Sequence, residues 1–278
     1  MQGLMQEHEH VSDSRVSQVV PQRLVEQFRR ARSDSSLVVL EGFHALKHAL
    51  RFGADIVAAV TVDVHALDRL ARSLAPELEG RLTAAESVPP EVFRRLTPRP
   101  PPTGVVAIAS RPSIASRDVL ETQVEAPVIF LEAPNDLGNI GAVVRIAAAL
   151  GAAGVVTTGR HDPWHPTAVR GAAGLHFAVP VVRAEELPAC ADRALIAIDP
   201  AGEAIGPGAI HGGPILAFGT ERAGLSPSLL SRAERRLRIP MRRGVSSINL
   251  AASVAVVLYS CRLGRGWAGR DEIVDDGP

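Results

Sequence analysis

Short apolar runs, each bounded by glycine, proline or polar clusters, recur along the whole chain, and their length and period separate strands from helices. In the first half Leu37–Leu40 reads as a strand, Phe43–Arg51 as an amphipathic helix and Ile56–Val62 as a second strand. A helix over His65–Leu74, another over Pro90–Leu96 with proline near its start, and a strand over Gly104–Ala109 complete a small α/β pattern. The second half alternates more regularly. Val128–Leu131 is an uninterrupted apolar run, the mark of a parallel strand buried on both faces, and a helix over Asn139–Leu150 follows it. Strands are expected at Gly154–Thr158, Val179–Val182, Ala194–Ile198, Pro214–Phe218 and Leu237–Pro240, with helices around Pro166–Gly174 and Ser226–Ala233. A last long helix, Ser247–Arg262, closes at Gly264 as a C′ residue. Such βα alternation predicts a parallel sheet that offers ligands the carboxyl ends of its strands.

A length of 278 residues allows one large or two ordinary domains, and with 46% apolar against 22% charged residues a sizeable core can be buried. Punctuation divides the chain where charge does not. The Pro98–Pro102 cluster and the polar stretch Arg111–Glu125 place a flexible tail at 1–20, a domain at 21–111, a linker at 112–126, a second domain at 127–266 and a tail at 267–278. The 30 basic and 30 acidic residues cancel, which excludes nucleic-acid binding by bulk charge alone but leaves local patches open. Cys190 and Cys261 are too few for a disulfide framework or a structural zinc site, as suits a reducing compartment. Met1–Ser14 is polar and has no secretory pattern, and Ile248–Leu258 is too short and interrupted to span a bilayer, so a cytoplasmic protein with no membrane partner is expected.

Three constellations carry candidate chemistry. The first runs from Asn135 to Arg145: Gly138 and Gly141 permit close backbone approach, Asn139 can cap the helix, and Arg145 is the only charge between Asn139 and Leu150. A buried guanidinium in so apolar a helix needs an anion or a cleft, while a structural ion pair to the sheet is the plain alternative. The second, Phe218-Gly219-Thr220-Glu221-Arg222-Ala223-Gly224-Leu225-Ser226, follows an apolar strand and has the shape of a binding loop, or of a tight turn carrying a surface glutamate. The third couples Ile239-Pro240-Met241 to Ser247-Ile248-Asn249 at the start of the last helix, where serine and asparagine can cap or address a ligand. Six arginines against Glu234 between Arg232 and Arg243 form the strongest basic patch, a phosphate contact or a solvated loop face. His44 and His48 stand four apart on a helix without the glutamate of a zincin, and His161, His165 and His176 lack partners at ligand spacing apart from Asp162, so no metal site is expected.

In this order the three constellations closely resemble the SpoU/TrmH family of RNA 2′-O-ribose methyltransferases, within the SPOUT class. The residues that carry the likeness are Asn139, Gly141, Arg145 and Ala147; then Gly219, Glu221, Gly224, Leu225 and Ser226; then Ile239, Pro240, Met241, Ser247 and Asn249, with Ile248 in place of leucine. An intermediate stretch matches at Arg170, Gly174, Phe177, Pro180 and Val181. Upstream, Val39-Leu40-Glu41-Gly42 through Thr103-Gly104-Val105-Val106-Ala107 is similar to the L30e-like RNA-binding domain of many members. Arg222, Ile146 and Ala251 depart from the common pattern.

The resemblance implies a Rossmann-like α/β sheet with a C-terminal trefoil knot, a smaller L30e-like α/β domain before it, and a homodimer that transfers a methyl group from S-adenosyl-L-methionine to a ribose 2′-hydroxyl of ribosomal or transfer RNA. DNA is not implied as a partner. It makes Arg145 the catalytic group, helped by an RNA phosphate or by its neighbours, with Asn139, Glu221, Ser247 and Asn249 positioning Arg145 and the ribose. Gly219, Ile239, Met241 and Ile248 would bind the cofactor, and no metal is required. The alternative from another class is a non-catalytic RNA-binding protein that keeps the fold.

Overall fold

A computed structural model describes residues 22–188, 193–206, 208–220 and 222–263; the expected tails, Gly264 and Cys190 lie outside them. The chain divides into two compact units, the first ending at Arg111 and the second beginning at Pro112.

The first unit opens with a helix over residues 22–31, α1, which the sequence reading left unassigned. Its Leu24, Phe28 and Ala31, spaced four and three apart, are buried with Val39, Val60, Phe93 and Ile108. β1 (Leu37–Glu41), α2 (Phe43–Arg51), β2 (Ile56–Thr61), α3 (Val64–Leu74), α4 (Glu79–Leu82), β3 (Glu86–Ser87), α5 (Pro90–Leu96) and β4 (Val105–Ser110) follow. The sheet order is β1-β4-β2-β3, with β4 antiparallel to both of its neighbours and β2 parallel to β3. Two distant pieces of sequence meet at the entry to α2. Gly42 adopts φ 98°, a conformation only glycine takes readily, and the Phe43 N–H donates to Thr103 Oγ1 at 2.9 Å. Beneath this turn Glu41 is buried, but its Oε1 accepts from Arg32 Nη2 at 3.0 Å and from Thr97 Oγ1 at 2.6 Å, so the carboxylate keeps hydrogen-bond partners.

In the second unit the stretch 112–126, expected as a linker, carries a short helix, α6 (Ser116–Leu120). Val119 and Leu120 are buried in the same core as Val128, Phe130 and Ala217, so this segment is part of the domain. β5 (Val128–Leu131), α7 (Leu137–Leu150), β6 (Gly154–Thr157), α8 (Pro166–Gly171) and β7 (Val181–Arg183) come next, then β8 (Leu195–Ala204), β9 (Ile215–Phe218), α9 (Pro227–Arg232), β10 (Arg235–Arg238) and α10 (Leu250–Leu263). The six strands are all parallel, in the order β10-β8-β9-β5-β6-β7, and every residue of β5, β6 and β9 is buried, as helices covering both faces require.

Three boundaries differ from expectation for physical reasons. Asp136, not Asn139, caps α7: its carboxylate accepts the Asn139 N–H at 2.7 Å, which starts the helix two residues earlier and moves Asn139 inside it. The last helix starts at Leu250 rather than Ser247, because Asn249 Oδ1 takes the free Ala251 N–H at 2.9 Å. β8 continues beyond Ile198 to Ala204, since β10 leaves the ladder after Ala197 and rejoins it at Glu203. Arg193 ties the start of β8 in place by donating to the carbonyls of Thr122, Val124, Ala126 and Gly213. In α10, burial pushes the Cys261 thiol up to about 12, which keeps it protonated and inert at neutral pH.

Gly141 and Gly171 set the crossing of α7 and α8. A Cβ on Gly141 would stand 2.3 Å from the Ala168 carbonyl oxygen, and one on Gly171 would stand 3.5 Å from the Gly141 Cα. Gly141→Ala should therefore destabilise the protein by about 1–3 kcal/mol through overpacking, despite alanine's better helix propensity. Chemical denaturation measures this, and a variant as stable as the parent would mean that the two helices can separate freely.

Candidate active site

The carboxyl ends of β9 and β10 and the middle of β8 open on a cleft of about 560 Å³, within the range of roughly 300–1,000 Å³ usual for small-ligand sites. Gly219, Ile239, Met241, Ser247 and Ile248 all line it, so residues drawn from two of the three sequence constellations meet in one place. Phe218, Ile239, Met241, Ile248 and Leu250 make an apolar wall; Asp199, Thr220, Arg222, Arg238, Ser247 and Ser253 supply polar groups. Val245 and Ile248 are 49% and 38% exposed at its edge.

Backbone packing shapes the floor of the cleft. A Cβ on Gly219 would stand 2.0 Å from the Gly224 carbonyl carbon, so only glycine allows the loop to fold back on itself. The turn is closed by reciprocal Thr220 and Gly224 backbone hydrogen bonds of 3.0 Å and by Thr220 Oγ1 accepting the Ala223 N–H at 3.0 Å. Gly224 itself needs φ 68°. Glu132, just past β5, anchors the far end of the loop: its oxygens accept the Ser226 N–H at 2.7 Å and the Ser226 Oγ at 2.6 Å, while Ser226 Oγ also accepts the Leu229 N–H and caps α9. Glu221, the carboxylate of this constellation, lies outside the described residues.

Asn249 Nδ2 donates to Asn139 Oδ1 at 2.9 Å, which joins the first constellation to the third by a direct bond between side chains 110 positions apart. Arg145 is placed otherwise than its sequence context implied. It is exposed, with no hydrogen bond or ion pair to any described residue, and it does not line the cleft of its own chain. The apolar helix around it is no burial signal, because the small residues Ala142 and Ala149 share this side of α7 and leave it accessible.

The basic patch is largely spent on structure. Arg232 donates to the Leu187 and Pro188 carbonyls at 2.7 and 2.8 Å, Arg235 to Ala209, Arg236 to Leu230 and Arg238 to Gly202. Arg242 and Arg243 are exposed without such ties among the described residues. The histidines serve local structure: His165 Nδ1 accepts the Thr167 N–H, and His176 packs on Trp164 with Nε2 2.8 Å from the Pro163 carbonyl. Among the described residues no cluster could hold a metal ion, and no helix is long and apolar enough to cross a membrane.

Sequence reasoning missed Glu132, Asp199 and Pro200. For Asp199 and Pro200 a signal existed: Asp199-Pro200-Ala201-Gly202 is a turn tetrapeptide within an apolar strand pattern.

Comparison with known proteins bears on family and fold. Residues 126–259 match the SpoU rRNA Methylase family, and residues 39–115 match the domain described as RNA 2′-O ribose methyltransferase substrate binding. A 23S rRNA guanosine 2′-O-methyltransferase of Bacillus subtilis is 26% identical over 84% of this chain and 92% of its own length. A 23S rRNA adenosine 2′-O-methyltransferase of Streptomyces laurentii is 29% identical over 86% and 90%. The crystal structure of the SpoU methyltransferase AviRb from Streptomyces viridochromogenes, in complex with AdoMet, superposes with a TM-score of 0.68 at 24% identity, covering 87% of this chain and 96% of that one, a likeness of fold.

The Glu132 anchor yields a test of how the loop is held. Glu132→Gln keeps one oxygen for the Ser226 N–H but replaces the charged acceptor of the Ser226 hydroxyl with an NH2 donor, so stability should fall by about 1–2 kcal/mol. Amide exchange should quicken over residues 222–226; unchanged protection there would show that the loop is held by other contacts.

Proposed function

Given that the chain belongs to the SpoU rRNA methylase family, we propose that it transfers a methyl group from S-adenosyl-L-methionine to a ribose 2′-hydroxyl of ribosomal or transfer RNA. The observation that carries this reading is the convergence of Gly219, Ile239, Met241, Ser247 and Ile248 on one cleft at the carboxyl ends of a parallel sheet. That the Bacillus and Streptomyces relatives are named for 23S rRNA favours ribosomal RNA. The segments 219–226 and 239–249 are read as the loops of the C-terminal knot, and residues 39–115 as the part that selects the RNA.

The cleft fits the cofactor: an apolar wall suits a nucleoside base, and polar groups around it suit a ribose and an amino-acid tail. When bound, S-adenosylmethionine supplies a methyl group on a positively charged sulfur. The chain must hold the ribose hydroxyl in line with that methyl, so that the oxygen–carbon bond forms as the sulfur–carbon bond breaks, and let the hydroxyl proton pass to an RNA phosphate or to a neighbouring side chain. Gly219, Ile239, Met241 and Ile248 bind the nucleoside, the first chiefly through its backbone. The Asn139–Asn249 bond fixes both side chains at the head of their helices. Asn139, Asn249, Ser247 and Glu221 position Arg145 and the ribose. Arg145, always cationic and free of intrachain partners among the described residues, stabilises negative charge developing on the ribose oxygen, alone or with an RNA phosphate.

Because Arg145 does not line the cleft of its own chain, the reading includes a homodimer. α10 supports it: Val256, Tyr259 and Leu263, three and four residues apart, form an apolar stripe 43%, 56% and 68% exposed. α10 packs on α7, so an interface through these helices can carry Arg145 of one copy towards the cleft of the other.

Arg145→Ala should lower single-turnover methyl transfer by about 10²- to 10⁴-fold. Its thermal midpoint and cofactor affinity should stay close to those of the parent, as expected for an exposed side chain, and Arg145→Lys should also be poor because lysine lacks the planar fork. Radiolabel transfer from S-adenosylmethionine to RNA reads the rate; a near-normal rate in Arg145→Ala would remove it from the reaction. Sedimentation velocity tests the assembly. The parent should run as a dimer and a Val256→Glu, Tyr259→Glu double variant as a folded monomer, whereas a parent that is monomeric at micromolar concentration sinks the dimer.

A further inference from the structure

We infer that Asp199 holds the ribose hydroxyls of the nucleoside bound in the cleft, an assignment that rests on reading this cleft as the S-adenosylmethionine site. The sheet register places it there. Ile198 of β8 pairs with Phe218 of β9, so the residues that follow, Asp199 and Gly219, emerge side by side at the cleft floor. Both line the cavity.

Backbone constraint holds the carboxylate in this place. Between Ala197 and Glu203, β8 leaves its ladder with β10, and the return demands close approach: a Cβ on Gly202 would stand 2.5 Å from the Arg236 carbonyl carbon. Across the excursion Asp199 Oδ1 accepts the Ala201 N–H at 2.9 Å, a side-chain turn that fixes the carboxylate's orientation. Its second oxygen has no hydrogen-bond partner among the described residues. Asp199 is also the only carboxylate among the described residues that line the cleft, and the other charges there, Arg222 and Arg238, are donors.

A carboxylate is acceptor-only, so it selects a donor on the ligand. Phe218, Ile239 and Ile248 give the nucleoside base an apolar wall, and the donors next to it along the ligand are the vicinal hydroxyls of the ribose. An acidic side chain level with the carboxyl end of β9 meets that diol with charge-assisted hydrogen bonds. The competing donor is the ammonium of the amino-acid tail, and the two can be separated by ligand chemistry.

Calorimetry on the full-length protein would compare S-adenosylhomocysteine with 5′-methylthioadenosine, which keeps base and ribose but lacks the amino acid. Asp199→Ala should weaken both by the same factor, about ten- to a hundredfold for a hydrogen bond to a charged group. The 2′,3′-dideoxy form of methylthioadenosine should bind parent and variant alike. Asp199→Asn retains an acceptor for the Ala201 N–H and so preserves the turn; it should lose affinity for both ligands at an unchanged melting temperature, which keeps the test decisive if the alanine variant unfolds. Loss confined to S-adenosylhomocysteine would place the carboxylate at the amino-acid end and overturn the assignment, as would unchanged affinity for both. A parent that binds neither ligand would instead bring down the cofactor reading of the cleft, and this assignment with it.

Discussion

Parallel pairing of β5, β8, β9 and β10 is the constraint on which the rest of the second unit depends. Parallel strands all end on the same side, and the loops that leave them must therefore share that edge. Ile198 is level with Phe218, and Phe218 with Leu131. One ladder thus aligns Asp199, Gly219 and Glu132 without any contact between their side chains having to bring them together. Their three strands are held by ladder bonds within a buried sheet, so the edge is rigid where ligand-facing residues need it.

Close backbone approach is the second requirement, and glycine meets it at each critical point. Gly219 lets the loop after β9 lie against Gly224, Gly202 lets β8 return to β10, and Gly141 lets α7 sit on α8. Each would bring a Cβ within 2.5 Å of a backbone atom, so these glycines answer to steric space more than to flexibility. Around them, fixed polar bonds replace loop freedom. Glu132 holds Ser226, and Asn249 both caps α10 and bonds Asn139 of α7. One asparagine thereby serves a helix terminus and a link between helices.

Charge is distributed by the same economy. Arginines that look like an anion patch in the sequence mostly hold backbone carbonyls: Arg232, Arg235, Arg236 and Arg238 around β10, and Arg193 at the start of β8. A guanidinium with five donors can satisfy several carbonyls at once, which explains why these loops need so many of them. Arg145, Arg242 and Arg243 are exposed without ties of this kind among the described residues.

The α/β class, most strands along the chain and five of the residues that line the cleft, Gly219, Ile239, Met241, Ser247 and Ile248, were legible in the sequence, because apolar period and glycine or proline punctuation are local properties of the chain. α1 was missed although its apolar spacing is helical, since a ten-residue amphipathic pattern adjoining a polar tail is weak evidence until Phe28 has a core to enter. The cap at Asp136 is a local choice between two capping residues three positions apart, which propensity does not resolve. The extension of β8 to Ala204 and the burial of α6 in the domain core were decided by tertiary structure, because the neighbouring strand and the core lie far away in sequence. Arg145 shows the same division most sharply. Its isolation among apolar residues was plain from the sequence, but exposure depends on which face of α7 packs against α8 and α10, and that is a property of neighbours the local pattern does not contain.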